Sequence, residues 1–539
     1  MKSRTSRRTE VWLVAALFGT AIGSVSSAQI FQRAYGTPPS EVALDIADLY
    51  DCSYQTIGVR SPVGNPTAIH AVKYDSDGFV LWSKQYLLTQ GNNAGYTLDE
   101  ARDHALLFGC ESAFGGAANG KLIVRVSPAG LPLWGTLVQG TPFANSIAAA
   151  AGTLGVSVRE VNGQRVASVN RQTASFGVSR AGILTIQTGA GALLLERAYI
   201  PPGNTPAELD FAEIREARFP AGSTDLLIVG NMFDTAVNKY AAFAMRTDSA
   251  GNVIWAREYL HPTAGISITA DGFALDGSGD IVFSGRRGAA VPGQLSPSNL
   301  IVAKVDSLTG APTWARDVDG FTNGYQAVIF TPARTAVIAG RTSFGAAAPT
   351  NSASLIEISN AGAFVRQELY GPLVPGPTVR GEAVTNWRPW GGYAMAGVTN
   401  DFGAGGNDIY FVKTFTDLTS GCREIAFTPL NQPVVLQVKT PALQVAQLDN
   451  WVAVNVPVND VPLVTTTACF DKRCVGDLNG DGVVDDDDFI LFAFAYNTLT
   501  CPTFPALLAC CPADFNGDGL VDDADFVLFA AAYDALICP

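Results

Sequence analysis

The stretch "AVKYDSDGFVLWSKQY" at residues 71–86 decides how this chain is read. It is an alternating strand, a turn carrying Asp and Gly, and a second strand carrying Trp82. The same unit returns as "AMRTDSAGNVIWAREY" at 244–259 and "VAKVDSLTGAPTWARD" at 302–317. Weaker copies are "IVRVSPAGLPLWGT" (123–136), "TIQTGAGALLLERAY" (185–199), "IEISNAGAFVRQELY" (356–370) and "VKTFTDLTSGCREIAF" (412–427). The turn glycines fall at Gly78, Gly130, Gly191, Gly251, Gly310, Gly362 and Gly421, each three or four residues after an Asp, Ser or Thr. That is hairpin chemistry: the short polar side chain accepts a nearby backbone N–H, and glycine accepts the positive φ at the turn exit. Four copies place a tryptophan (Trp82, Trp134, Trp255, Trp314) four residues past the glycine, where a strand can bury it against a neighbouring sheet.

A second element precedes each hairpin and ends at Gly58, Gly109, Gly230, Gly285, Gly340 and Gly397, with Asn170 in the remaining copy. Four short strands per unit, repeated seven times at steps of 52 to 61 residues, predict a mainly β chain. The expected fold is a seven-bladed β-propeller over residues 29–427 with repeats of about 57 residues. Stacked β-sandwiches are the alternative, but they do not require one small unit to recur at this period. The hairpins, and above all "GGYAMAGVTNDFGAGGNDIYFVKTF" at 391–415, resemble the propeller-like repeats of large secreted bacterial proteins. That resemblance spans most of residues 50–427 and implies no catalytic residues. Ring closure stays open between two strands. "QIFQRAYG" (29–36) looks like the outer strand that elsewhere reads "WAREY", yet the seventh unit has its own candidate in "CREIAF". Residues 428–470, Val-rich and broken by Pro and Asn, read as a β-rich linker of a few strands.

Charged residues make up only 16% of the chain, and the formal charge is −14. This excludes nucleic acid and anionic membrane as partners, because phosphate binding needs a basic face. Lys2, Arg4, Arg7 and Arg8 precede the apolar run "VWLVAALFGTAIGSV" and then Ser26-Ser27-Ala28. Residues 1–28 therefore read as a signal peptide, with cleavage after Ala28 and a secreted or cell-surface destination. No later stretch is apolar for long enough to span a membrane.

The end of the chain carries two near-copies of one acidic loop, "DLNGDGVVDDDD" (477–488) and "DFNGDGLVDDAD" (514–525). Oxygen ligands fall in the first at Asp477, Asn479, Asp481, the carbonyl of Val483, Asp485 and Asp488. The second repeats them at Asp514, Asn516, Asp518, the carbonyl of Leu520, Asp522 and Asp525. Hard oxygens at alternate positions, a glycine at the bend and a carboxylate at the twelfth place match a calcium loop, so two calcium ions are expected. Six aspartates crowded into the first loop repel one another, which couples metal binding to folding. An apolar helix follows each loop, "FILFAFAY" and "FVLFAAAY", and the two are expected to bury against each other.

Two loop–helix halves without entering helices resemble a type I dockerin, the calcium module that plugs into cohesin domains. The resemblance covers residues 471–539. It implies a small α-helical calcium-binding dockerin-like domain and a cohesin-like or cell-surface protein as partner. The sequence departs from the family where cohesin is grasped: Asp486, Asp487, Asp523 and Ala524 stand late in the loops, and the helices lack Lys and Arg.

Nine cysteines fit an exported chain. Cys474 maps on Cys511 and Cys501 on Cys538 between the halves. Packing about a pseudo-twofold axis would form Cys474–Cys538 and Cys501–Cys511 together. Cys52–Cys110 and Cys422–Cys469 are expected elsewhere, which leaves Cys510 odd.

Catalytic motifs are sparse. The histidines are His70, His104 and His261, without HExxH, and no GxSxG elbow occurs. Asp75, Asp248 and Asp306 already serve turns. "NWRPW" at 386–390 offers Trp387, Arg388 and Trp390 for stacking on a sugar or peptide. These features predict a secreted, non-catalytic binding or scaffold protein, its calcium module mediating attachment. The alternative is a polysaccharide-degrading hydrolase acting on O-glycosyl bonds, or a lyase, that carries a dockerin. A second alternative is a purely structural surface or matrix protein.

Overall fold

The computed structural model describes residues 29–472 apart from 63–65, 89–91, 113–119, 139–152, 162, 173–180, 202–208, 220–223, 235, 292–293, 320–327, 332–334, 345–349, 373–375, 387–391 and 448–450. Beyond 472 it describes 476, 478, 484–498, 513, 515 and 521–535. The chain divides into two compact units, one of Ile30–Asp471 and one that includes Lys472–Pro539.

The larger unit is a seven-bladed β-propeller, each blade a sheet of antiparallel strands. The first blade runs Ser40–Asp48, Tyr54–Ser61, Ala68–Tyr74 and Val80–Tyr86 from the centre outward. The second to sixth repeat that order, beginning at Asn93–Glu100, Thr153–Val161, Leu209–Arg218, Ile266–Ile268 and Val328–Phe330. Their apolar residues fill the spaces between adjacent blades. Ile57, Ile69, Phe108 and Leu122 pack between the first two, and Leu227, Phe273, Phe283 and Ile301 between the fourth and fifth.

The turn residues do what their chemistry predicts. Gly78, Gly130, Gly191, Gly251, Gly310 and Gly362 all have φ between 72° and 88° at their turns. The seventh turn corrects the reading. There the N–H of Leu418 closes on the carbonyl of Phe415, as that of Gly78 closes on Asp75, so Leu418 (φ 72°) holds the glycine place and Gly421 lies beyond it. Leu418 is fully buried, and its side chain repays the backbone cost with core contacts.

The turns also lock blade to blade. The phenol O–H groups of Tyr35, Tyr86, Tyr199 and Tyr259 donate to the turn carbonyls of Gly78, Gly130, Gly251 and Gly310 in the next blade, at 2.6–2.8 Å. Tyr370 does the same to Leu418 at 2.5 Å. The indoles of Trp134 and Trp314 bridge the two other junctions, to Gly189 and Asn360 at 2.8 and 2.9 Å. Each such bond contributes on the order of 1 kcal/mol, and together they span all seven junctions.

Tyr35 decides the closure that the sequence left open. Gln29–Gly36 lies beside Asp408–Thr414 as the fourth strand of the seventh blade, pairing Phe31 with Lys413 and Tyr35 with Ile409. "CREIAF" goes elsewhere. Its strand Glu424–Ala426 pairs with the outer strand of the sixth blade, and it opens the largest departure from expectation.

Residues 428–470 are not a linker. From Glu424 to Lys472 the chain runs back around the whole ring and adds a fifth, outermost strand to every blade. Asn431–Pro433 pairs with the fifth blade, Gln437–Lys439 with the fourth and Gln444–Gln447 with the third. Trp451–Val454 and Val458–Asp460 join the second and first, and Val464–Lys472 ends the circuit beside Gln29–Gly36. The strands begin six or seven residues apart. Leu436 and Val456, almost fully buried, wedge into the seams between blades and hold this belt to the ring.

A disulfide joins Cys422, just before the belt, to Cys469 in its last strand. The expected Cys52–Cys110 bridge is absent. Cys110 is a free thiol, fully buried opposite Gly95 beside the bulge of the second blade, while Cys52 is disulfide-bonded to a different cysteine. The register turns the Cys110 side chain into the seam between the first two blades, among Ile57, Ile69 and Leu122. Cys474, Cys501, Cys510, Cys511 and Cys538 lie outside the described residues.

Candidate functional site: the central cavity and the terminal loops

The innermost strand of a blade is where the repeat bends. In the first, fourth and seventh blades the register shifts by one residue, between Ala43 and Asp45, Phe211 and Glu213, and Gly381 and Ala383. The glycine facing the shift, Gly58, Gly230 or Gly397, lies so close to a backbone carbonyl that a Cβ would sit 1.8–1.9 Å from its oxygen. Such bulges re-aim the residue that follows them. Here they turn polar side chains toward the axis.

Those side chains line a cavity of about 720 Å³ at the centre of the ring, which draws residues from all seven blades. Nine carboxylates reach its wall, among them Asp45, Asp48, Asp99, Glu213, Asp271 and Glu382, against the arginines Arg102, Arg159 and Arg215. One pattern repeats along this wall. Asp45, Thr97, Ser157 and Glu213 hold the same place in four successive blades. Each accepts the backbone N–H of the next blade, from Leu98, Val158, Ile214 and Phe273, at 2.9, 3.2, 3.3 and 2.7 Å. The wall acids are therefore structural first.

Arg159 ties them together. Its guanidinium donates to Glu213 at 3.1 Å and to the carbonyl of Leu98 at 2.9 Å, and lies 3.6 Å from Asp99. Arg215 pairs with Glu213 at 2.7 Å. Burial works against the charge on Arg159, yet Asp99, Glu213 and Asp45 outweigh it and hold its pKa above the ordinary value. Burial pushes the Asp45 carboxyl up to about 6, with Arg159 and the N–H groups of Leu98 and Ile46 opposing the rise. Asp99 is raised for the same first cause. Asp45 thus differs from an ordinary surface aspartate: it carries a proton for part of the time near neutral pH.

The histidines stand apart from the cavity. His70 is buried with Nε2 2.9 Å from the Ser83 hydroxyl, and burial pulls its pKa down to about 3. His261, buried, meets Asp317 of the next blade at 3.1 Å, and Arg287 shares that carboxylate. His104 caps a turn at positive φ and contacts Glu100 at 3.1 Å. Trp387, Arg388 and Trp390 lie outside the described residues.

In the terminal unit, helices α1 (Asp486–Thr498) and α2 (Asp523–Ala535) follow the two acidic loops. Asp485, Asp488, Asp522 and Asp525 are the expected ligands that the structure describes. Asp477, Asn479, Asp481, Val483, Asp514, Asn516, Asp518 and Leu520 lie outside the described residues. Among the described residues no three metal-ligating side chains converge. The closing carboxylates Asp488 and Asp525 are fully buried. Asp488 accepts the N–H of Leu478 at 2.6 Å and of Asp485 at 3.0 Å, and Asp525 that of Asp522 at 3.0 Å. Both therefore turn back into their loops. Each stands in the first turn of its helix, where a negative side chain complements the helix dipole.

The halves are related by their 37-residue offset. The Tyr496 hydroxyl donates to Asp523, and the Tyr533 hydroxyl donates to Asp486. Phe492 stacks on Phe529 at 4.8 Å over Val484, Phe515 and Val521. The helices do not bury each other completely, as expected from their composition. Phe489, Ile490, Leu491, Phe494, Phe526 and Val527 remain 43–65% exposed. Among the described residues, the two short helices bury only the stripe they share.

No described helix is long and apolar enough to cross a membrane. No family model matches the chain, and no curated protein does. Solved structures similar to the ring include the GH93 alpha-L-arabinofuranosidase of Fusarium graminearum (12% identity, 72% of this chain and 97% of that one, TM-score 0.36). Others are the polysaccharide lyase Uly1 (10%, 69% and 90%, TM-score 0.39) and the NanB sialidase from Streptococcus pneumoniae (9%, 74% and 71%, TM-score 0.36). At these identities and scores the likenesses carry no argument about the chemistry of this chain.

Proposed function

We propose that this chain is an exported binding protein. Its propeller is a rigid platform, and its terminal unit is a dockerin-like module that folds around two calcium ions and attaches the platform to a cohesin-like or cell-surface protein. The observation that carries this reading is the pair of buried closing carboxylates, Asp488 and Asp525, each bonded inside its own loop. The exposed apolar residues of the two helices supply the docking face, in place of the basic residues that dockerins use. The acidic cavity supports a neutral glycan chain as the platform's ligand and disfavours uronates and sialic acids, because its carboxylates outnumber its arginines three to one.

Calcium removal tests the module. Chelator should abolish the circular-dichroism signal of α1 and α2 and release any captured partner, while the sheet signal stays. Asp488→Ala should weaken calcium uptake roughly tenfold or more. Helicity indifferent to chelator would end this reading.

A second reading, a carbohydrate-acting enzyme, is favoured by one observation: Asp45 is poised near neutral pH inside the cavity. Reducing-sugar release from a neutral polysaccharide panel, lost in Asp45→Asn while the melting temperature holds, would replace the first reading. No release at any pH from 5 to 8 leaves Asp45 a structural acceptor.

A further inference from the structure

We propose that the first stretch of the belt, residues 424–439, is a pH-operated strap, held by blade glutamates that meet a second acid where the belt crosses the sixth and fourth blades. The placement of charge under the belt carries this inference. At both crossings the acids outnumber the cations that face them.

At the fourth blade Glu258, 3% exposed, lies opposite Lys439 of the belt. The Lys439 ammonium is already taken by Asp234, on the second strand of the same blade. The other charged groups nearby are engaged elsewhere. Lys239 donates to the carbonyls of His261 and Thr263 at 3.0 Å, and Arg257 donates to the Thr440 hydroxyl at 3.2 Å. On the third strand the residue opposite Glu258 is Phe243. One cation therefore serves two acids. Glu258 stays buried by keeping a proton, which it shares with Asp234 in a hydrogen bond.

The sixth blade repeats the arrangement. Glu368 pairs with Ala426, which makes Glu424 its diagonal neighbour on the same face of the sheet. Glu424 is committed as an acceptor, taking the N–H and O–H of Ser420 at 2.5 and 2.6 Å and the N–H of Gly421 at 3.2 Å. Asp417, in the turn of the seventh blade, adds another negative charge. The cation acting on Glu368 is Arg366 of its own strand, and Arg366 pairs with Glu357 at 2.9 Å.

The titration follows this geometry. Burial, reinforced by Asp234, pushes Glu258 from 4.5 up to about 7 against the pull of Lys439. Burial, reinforced by Glu424 and Asp417, does the same to Glu368 against Arg366. A carboxyl raised by seating stabilises the seated belt fully below its released value, and that contribution is lost as pH rises through the seated one. Between pH 5 and pH 8 each acid alone favours release by about tenfold or more. Little else holds this stretch. Its stations pair three residues each, and Leu436 is its buried anchor, while Val435 and Val438 remain 83% and 41% exposed. Release leaves the outer edges of the sixth, fifth and fourth blades unpaired.

The experiment is hydrogen exchange of the full chain at pH 5 and pH 8, corrected for intrinsic rates. Protection over residues 424–439 should fall by about tenfold or more at pH 8. Trp451–Val454 is the internal control, because its station on the second blade carries no titratable side chain, and its protection should hold. In Glu258→Gln/Glu368→Gln, whose amides stay neutral, residues 424–439 should keep at pH 8 the protection they have at pH 5. Equal protection at both pH values in the wild type, an equal fall at Trp451–Val454, or an unchanged fall in the variant overturns the proposal. Should the variant fail to fold, the wild-type comparison of the two stretches decides by itself.

Discussion

Gly230→Ala should leave the propeller unable to close its fourth blade, with a loss of about 4 kcal/mol or more in stability. The added methyl carbon would stand 1.9 Å from the carbonyl oxygen of Asp210 and 2.8 Å from the Cα of Phe211. Both are backbone atoms at a bulge, fixed by a ladder that runs from Leu209–Met232 to Arg218–Thr224, so neither can move without breaking pairs. Gly251→Ala is the control. That glycine has φ 74° in a turn, and its nearest neighbours are side-chain atoms 3.0–3.1 Å away, so about 1–2 kcal/mol is expected. Urea denaturation of the two variants measures the difference. Equal losses would mean that the bulge relaxes freely and that the aim of the channel residues is not set there.

The second large effect is expected at Arg159. Arg159→Met keeps an unbranched apolar stem and removes the cation shared by Asp99, Glu213 and Asp45. Leaving partly buried carboxylates without that partner should cost about 3–5 kcal/mol at pH 8. The sign of the pH dependence follows from Asp45. Its folded pKa, about 6, already exceeds the unfolded value near 4, and Arg159 is one of the influences that hold it down. A carboxyl raised on folding contributes stability that is fully present below the unfolded pKa and lost as pH rises through the folded one. Removing Arg159 raises Asp45 further, so the variant's deficit should shrink toward pH 4 and widen above pH 6. Urea melts at pH 4.5 and pH 8 decide it. A deficit that does not change with pH would show that Arg159 acts by packing alone.

The carboxylates of the cavity wall have a structural task before any other. Asp45 and Glu213 stand in register with Thr97 and Ser157, and all four accept an N–H from the next blade. A hydroxyl performs that task as well as a carboxylate, so the acids at these places need no catalytic reason. What the carboxylates add is negative potential around the axis.

How much was legible before folding differs from residue to residue. Gly78 and its five counterparts were readable because a hairpin turn is a local event, settled by positive φ and one short polar side chain. Leu418 was misread for the same reason in reverse: a buried leucine pays for its own strained backbone with contacts made by distant residues, and Gly421 stood nearby to mislead. Tyr35 signalled closure, since "QRAYG" copies the end of "AREYL", but only the pairing with Asp408–Thr414 and the bond to Gly78 of the first blade choose it over "CREIAF". Cys110 was paired wrongly because sequence spacing says nothing about which way a strand residue faces.

The chain's own order of residues determined the seven hairpins, the period and the acidic twelve-residue loops, because each is built from neighbours within a few positions of one another. The tertiary structure alone decided the cavity, the arginine-centred network and the belt. A belt strand of three residues has no stability or pattern of its own. It exists only where a finished blade offers an open edge to pair with, and no such edge is present until the ring has formed.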